Sequence, residues 1–251
     1  MATPDINICI IPARGGSKRI PRKNIKLFNG KPIVAWSIEA ALKSGCFDRV
    51  VVSTDDQEIA EISKSFGAEV PFYRDASLAD DYSTTHDVVI NAITQLSSEG
   101  CHIKNACCLY ATAPFVRPQD IDEGLVKLEE LRGEGSYVFP VGRFRYPIQR
   151  ALFLDSENGR CKMCKPELFT SRSQDLEERY HDAGQFYWAM ASTWQRSRDL
   201  LHNGSPIIIP SWRVQDIDTI EDWDRAELMH KASEEWDKRR RVIPQSQARR
   251  T

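Results

Sequence analysis

No run of the 251-residue chain approaches the twenty or so consecutive apolar residues that a membrane helix needs. Its start, Met1-Ala2-Thr3-Pro4-Asp5, carries neither the basic segment nor the cleavage pattern of an export signal, so a cytoplasmic protein with no membrane partner is expected. Neither sign of charge dominates: 34 Lys and Arg stand against 36 Asp and Glu, a net −2 that gives no basis for nucleic-acid binding. The motif G-x-x-x-x-G-K-[ST] is absent, which excludes a P-loop kinase or ATPase, and the absence of G-x-G-x-x-G disfavours a dinucleotide-binding Rossmann loop. Cysteine is too scattered for a disulfide framework. The seven cysteines are odd in number and sit in apolar contexts such as Cys9 and Cys107-Cys108, which suits reduced, buried thiols. Cys161-x-x-Cys164 has metal-ligand spacing but no second pair nearby to complete a tetrahedral zinc site.

What is present is an α/β pattern. Apolar, β-rich runs at residues 6–11, 49–53, 69–73, 106–109, 136–141, 186–191 and 207–209 read as strands. Between them, three-four spacing of Ile59, Ile62 and Phe66, and of Ile121, Leu125 and Leu128, reads as helices with a core stripe. Alternation of this kind predicts a doubly wound, mostly parallel sheet in one domain over residues 1–251. Such sheets present ligands at the carboxyl ends of their strands, so the segments that follow them matter. They are residues 14–24, Thr54-Asp55-Asp56, and Tyr110-Ala111-Thr112-Ala113-Pro114.

The first of these segments is cationic. Between Arg14 and Lys23 lie five positive side chains, Arg14, Lys18, Arg19, Arg22 and Lys23, with no acid among them. Gly15 and Gly16 allow unusual backbone angles and lack the Cβ that would hold a phosphate away, so backbone N–H groups can face an anion. A strand feeding such a loop predicts a polyphosphate site. Toward the other end, Asp216-Ile217-Asp218 would, if extended, turn both carboxylates to one face and send Ile217 into the core. Two carboxylates so placed repel unless a cation lies between them, and Mg²⁺, held by one or two carboxylates plus phosphate oxygens, fits. Asp218 or Thr219 is also placed to cap the helix that follows. From 142 to about 180 periodicity is lost while Arg143, Arg145, Arg150, Lys162, Lys165 and Arg172 accumulate among aromatics. That length predicts an inserted lobe or dimerisation arm. The basic residues 239–251 read as a frayed tail.

The block IPARGGSKRIPRKN resembles the I-P-A-R-x-G-S-K-x-x-x-x-K-N signature of the CMP-sugar synthetases. Three further regions agree in order: Val51 to Asp56 with a V-S-T-D strand end, residues 74–81 with R-x-x-x-L-A-x-D, and Gln215 to Asp218 with the D-x-D. The resemblance implies a nucleotide-diphospho-sugar transferase-like fold and the reaction of CTP with a nine-carbon acidic sugar to give CMP-sugar and pyrophosphate. It implies that Ala13, Arg14, Gly15, Gly16, Ser17, Lys18, Lys23 and Asn24 bind CTP and that Arg14 and Lys23 act in catalysis. Asp216 and Asp218 would hold Mg²⁺, with Mn²⁺ as a substitute, in a homodimer. Arg74, Tyr110, Thr112, Gln174, Tyr180, His181 and Asp182 would face the sugar, with His181 and Asp182 lining the pocket rather than forming an acid–base pair. Where the sialic-acid branch has L-Q-P-T-S-P, this chain has Leu109-Tyr110-Ala111-Thr112-Ala113-Pro114, and YATAPF with QDLEERYHDAGQFYW resembles the branch that activates pseudaminic acid for surface or flagellar glycosylation. The alternatives are a CMP-sialate or CMP-legionaminate synthetase and, in a different class, a nucleotide-binding regulator without turnover. The regulator would be expected to have lost Lys23, Asp216 or Asp218, all of which are present.

Overall fold

The computed structural model describes residues 4–78, 83–131 and 135–242. Residues 79–81 of the segment noted above, and 243–251 of the basic tail, lie outside them. In chain order the strands are β1 (Asp5–Pro12), β2 (Leu27–Phe28), β3 (Lys31–Pro32), β4 (Arg49–Ser53), β5 (His102–Leu109), β6 (Val138–Arg143), β7 (Leu152–Leu154), β8 (Cys161–Met163), β9 (Tyr180–Asp182), β10 (Phe186–Met190) and β11 (Ser205–Ile209). The α-helices are α1 (Ile33–Ser44), α2 (Gln57–Ser65), α3 (Thr85–Ser98), α4 (Pro118–Glu130), α5 (Ala191–Arg196) and α6 (Ile220–Val242).

Seven strands form one sheet in the order β11-β6-β10-β5-β1-β4, with β9 paired to β6. The pairs β1·β4, β1·β5 and β11·β6 are parallel, whereas β10 runs antiparallel to both β5 and β6. The strand period of two sorts the core. Ile8 and Ile10 join Val89, Ile93, Tyr187 and Trp194 on one face, under α3 and α5. Cys9 and Ile11 join Val34, Ile38, Ile59 and Ile121 on the other, under α1, α2 and α4. The result is the expected doubly wound, mostly parallel α/β architecture.

One expected strand fails to form. Residues 69–73 make only single parallel bridges, Glu69 to Val51 and Tyr73 to Thr54, because Pro71 between them has no N–H to continue a ladder. The C-terminal helix also runs further than expected, taking residues 239–242 of the anticipated tail into α6. Between β6 and β9 the chain leaves the sheet as short 3₁₀ turns and the β7·β8 hairpin. It returns beside its exit, where the Phe144 N–H donates to the Arg179 carbonyl at 3.0 Å. Among the described residues no helix is long and apolar enough to cross a membrane.

Candidate active site

β1 ends at Pro12 in the interior of the sheet, flanked by β5 and β4, so residues 14–24 emerge at its carboxyl edge. A cleft of about 500 Å³ opens there, lined by Arg14, Ser17, Lys18, Arg19, Lys23 and Asn24 of this loop, by Arg74, and by Thr85, Val88, Tyr110 and Thr112. Of the expected nucleotide-side residues, Arg14, Ser17, Lys18, Lys23 and Asn24 therefore share one cavity. Ala13 is fully buried beneath it, its N–H donating to the Ser53 carbonyl. Gly15 and Gly16 do not line it. The Gly15 N–H donates to Asp55 Oδ1 at 2.9 Å, and neither glycine takes a positive φ. Gly15 is required for space instead: a Cβ there would stand 2.8 Å from Asp56 Oδ2. The left-handed residue of the loop is Arg22, at φ 56°. Asn24, expected to bind CTP, is buried, and its amide ties the loop to its own start by donating to the Arg14 carbonyl at 2.9 Å.

The loop's charge is not left unanswered, as its local sequence suggested, because acids from other elements meet it. Arg22 forms a bidentate pair with Asp56 and a second pair with Glu58, bracing the loop against the start of α2. The guanidinium of Arg22 holds the Asp56 carboxyl below its usual range. Asp56 also caps α2, accepting from the Ile59 N–H at 3.0 Å. Lys23 Nζ donates to the Ile217 carbonyl at 2.7 Å and lies 3.4 Å from Asp218 Oδ1, while Arg19 meets Asp218 Oδ2 at 2.8 Å.

The approach of Asp218 to this loop has an apolar cause. Ile20 and Ile217 are both buried in a third cluster with Phe28, Ile33, Phe115 and Trp223, so the two loops share one hydrophobic seat. Residues 216–218 join no strand, yet the inward Ile217 between outward acids is as the spacing predicted. Thr219, not Asp218, caps α6. Its Oγ1 accepts from the Asp222 N–H and its own N–H donates to Asp222 Oδ2, a reciprocal capping box that leaves the Asp216 and Asp218 carboxylates outside the helix. Just upstream, Arg213 is buried in a bidentate pair with Asp120 at the start of α4, and its carbonyl accepts from Gln185. Burial pushes the Arg213 guanidinium down to about 10, still a cation at neutral pH.

Asp216 makes no hydrogen bond or ion pair among the described residues. Partial burial and the neighbouring Asp218 raise its carboxyl above the usual range. Two hard oxygen donors whose mutual repulsion Lys23 and Arg19 relieve only in part suit a small divalent cation that takes its remaining ligands from phosphate and water. No group of three or more His, Cys, Asp or Glu placed to hold a metal ion exists among the described residues, so these two carboxylates would need substrate to complete such a shell.

Within the cleft Arg74 is 7% exposed; its guanidinium hydrogen-bonds Ser53 and forms no ion pair with a carboxylate among the described residues. Burial lowers its basicity, with Asp55 nearby opposing the shift and Arg14 adding to it. A buried guanidinium beside a second arginine is a seat for an anion. Tyr110 stands opposite. Burial pushes its phenol up to about 12, its hydroxyl lies 3.3 Å from Thr85 Oγ1, and its ring packs on Tyr187, whose hydroxyl donates to Asp182. Asp182 thus reaches the cleft through Tyr187. The Asp182 carboxylate also takes the Gly184 N–H, while His181 Nδ1 contacts only the Asp182 carbonyl and its ring packs on Phe144, so the two side chains form no acid–base pair. Gln174 and Tyr180 are exposed and do not line the cleft of the single chain, since the excursion carries them away from it. Sequence reasoning missed Tyr187, Thr85, Ile20 and the Arg22 brace. Tyr187 could have been found from its alternation with the core residues Phe186 and Trp188.

A family model described as cytidylyltransferase matches residues 8–159. The chain is 45% identical over 230 residues to the pseudaminic acid cytidylyltransferase of Campylobacter jejuni subsp. jejuni, covering 91% of this chain and 98% of that one. It is 32% identical over 237 residues to the CMP-N,N'-diacetyllegionaminic acid synthase of Legionella pneumophila subsp. pneumophila, covering 91% and 97%. Among solved structures, CMP:2-keto-3-deoxy-manno-octonic acid synthetase complexed with CTP superposes with a TM-score of 0.67 at 15% identity, covering 90% of this chain and 99% of that one. At that identity the likeness speaks for the fold.

Proposed function

The chain belongs to the cytidylyltransferase family, and from that premise we propose that it transfers the cytidylyl group of CTP to pseudaminic acid, giving CMP-pseudaminate and pyrophosphate. The observation that carries the reading is the single cleft joining a cationic loop at the end of β1 to the buried Arg74 and a wall built on Tyr110. The family resemblance supports activation for bacterial surface or flagellar glycosylation in the cytoplasm, by a homodimer paired through the excursion after β6.

In this reading Arg14, Ser17, Lys18 and Lys23 receive the triphosphate, with Ala13, Gly15, Gly16 and Asn24 shaping the loop beneath it. Arg74 takes the sugar carboxylate, and Tyr110, Thr112 and, through Tyr187, Asp182 shape the sugar pocket. His181, Gln174 and Tyr180 do not line the cleft of the single chain and would contribute to the sugar pocket of a partner subunit through the excursion. Asp216 and Asp218 would hold Mg²⁺ or Mn²⁺, which when bound supplies charge neutralisation at the α-phosphate and the leaving pyrophosphate. The chain's own part is positioning and electrostatics. Lys23, tethered to the Ile217 carbonyl, is fixed where negative charge grows as the anomeric oxygen attacks the α-phosphorus in line and pyrophosphate departs. The measurement is pyrophosphate release from CTP and Mg²⁺ with pseudaminic, legionaminic, N-acetylneuraminic and 3-deoxy-manno-octulosonic acids in turn. Release with pseudaminate alone is expected. Preference for another acid would keep the mechanism and overturn the sugar, and silence throughout would favour a non-catalytic nucleotide binder.

A further inference from the structure

The cations that meet Asp218 are held in different ways. Lys23 is four-fifths buried and is fixed by its bond to the Ile217 carbonyl. Arg19 is 68% exposed, and its ion pair with Asp218 Oδ2 is its one polar contact among the described residues. An ion pair that exposed is weak and readily exchanged. It nevertheless covers one of the two Asp218 oxygens, and Arg19 also eases the charge on Asp216. Arg19 lines the same cleft as Arg14, Ser17 and Lys18, so a triphosphate bound there would offer it a stronger acceptor than Asp218.

We propose that Arg19 is an exchangeable counter-ion: it occupies Asp218 in the empty protein and moves to the phosphates when nucleotide binds, releasing the carboxylate to the metal. This rests on reading Asp216 and Asp218 as the metal seat. Nucleotide and metal then bind as a linked pair, each raising the affinity for the other by the same factor. Without nucleotide, the metal must displace a guanidinium; with nucleotide, that cost is already met by the phosphates. Arg19 touches the metal ligand rather than the reacting atoms, so its role is positioning.

The test is Mn²⁺ titration followed by electron paramagnetic resonance, on the full chain as wild type, Arg19→Gln, Arg19→Lys and Asp218→Asn, each with and without CTP. In the absence of CTP, Arg19→Gln should bind Mn²⁺ about 1.5- to fivefold more tightly than wild type, the range an exposed ion pair supports. Arg19→Lys, which keeps the charge, should resemble wild type. The gain in Mn²⁺ affinity on adding CTP should be smaller in Arg19→Gln than in wild type. The Mn²⁺–CTP complex in free solution is common to both, so that difference reports the protein. Equal Mn²⁺ affinity of wild type and Arg19→Gln, or an undiminished CTP effect, overturns the role of Arg19 if Asp218→Asn still weakens binding. Unaltered Mn²⁺ binding by Asp218→Asn overturns the metal seat and the counter-ion with it.

Discussion

Asp216 carries its functional character as a penalty. Burial and the charge of Asp218 raise its carboxyl above the unfolded value, so the native state takes up a proton more readily than the unfolded chain does. The stabilising contribution is fully present below the unfolded pKa, about 3.9, and is lost as pH rises through the higher folded value. At neutral pH the ionised group therefore costs stability. Asp216→Asn removes that cost, and in EDTA its Tm should exceed wild type at pH 7, with the difference vanishing as the pH falls below about 4. If Asp216 and Asp218 form the proposed metal seat, added Mg²⁺ should narrow or reverse the order, since only wild type keeps both carboxylates. Thermal melts across pH check this, and a variant melting below wild type at pH 7 would make the carboxylate structural. Arg74 is likewise destabilised as a charge by its surroundings: burial lowers its basicity, and the nearby Asp55 offsets this only in part.

At the scale of elements, the site depends on two loops meeting, and what joins them is apolar. Ile20 lies between Arg19 and Pro21 yet is fully buried against Ile217 and Trp223. Ile20→Ala should cost about 2–5 kcal/mol in denaturant unfolding, the range for deleting a buried aliphatic side chain. Because the cavity separates Lys23 and Arg19 from Asp218, turnover should fall even under conditions where the variant is fully folded. Turnover equal to wild type in the folded variant would show that the seat does not position the cations. Ile217 was legible in the sequence because an apolar residue between two acids can satisfy a period of two only by turning inward. Ile20 was not, since a single apolar residue in a basic loop has no periodicity and its burial depends on a partner near the far end of the chain. The direction of β10 was hidden for a related reason. A buried central strand reads as the same apolar run whichever way it points, and the reversal is made by the excursion, which brings the chain back through β9 and then β10, both antiparallel to β6. The acids that answer the cationic loop come from α2 and from beyond β11, so the local sequence could show the cations but not their pairing.

At the scale of the whole molecule, the sheet gathers the polar chemistry at one edge, while the excursion after β6 carries apolar surface that the single chain does not cover. All three residues of β7, Leu152, Phe153 and Leu154, are exposed, as are Tyr146 and Phe169. A two-stranded hairpin standing free is marginal in water, and alternation should hide one of its faces; here neither is hidden. An apolar patch of this kind, on an arm that also carries Arg145 and Lys162, marks a protein interface. In the proposed homodimer a second copy of this chain would cover it, with the hairpin packing across a two-fold axis. Leu154→Asp places a charge in that contact without touching the cleft. Light scattering after size exclusion should show wild type at twice the mass of one chain and the variant at the mass of one. If the arm also completes the sugar rim from across the axis, the variant should lose kcat/KM for the sugar acid while keeping its affinity for CTP. A variant that remains dimeric, or a wild type that is monomeric at micromolar concentration, would leave the arm without its assigned partner.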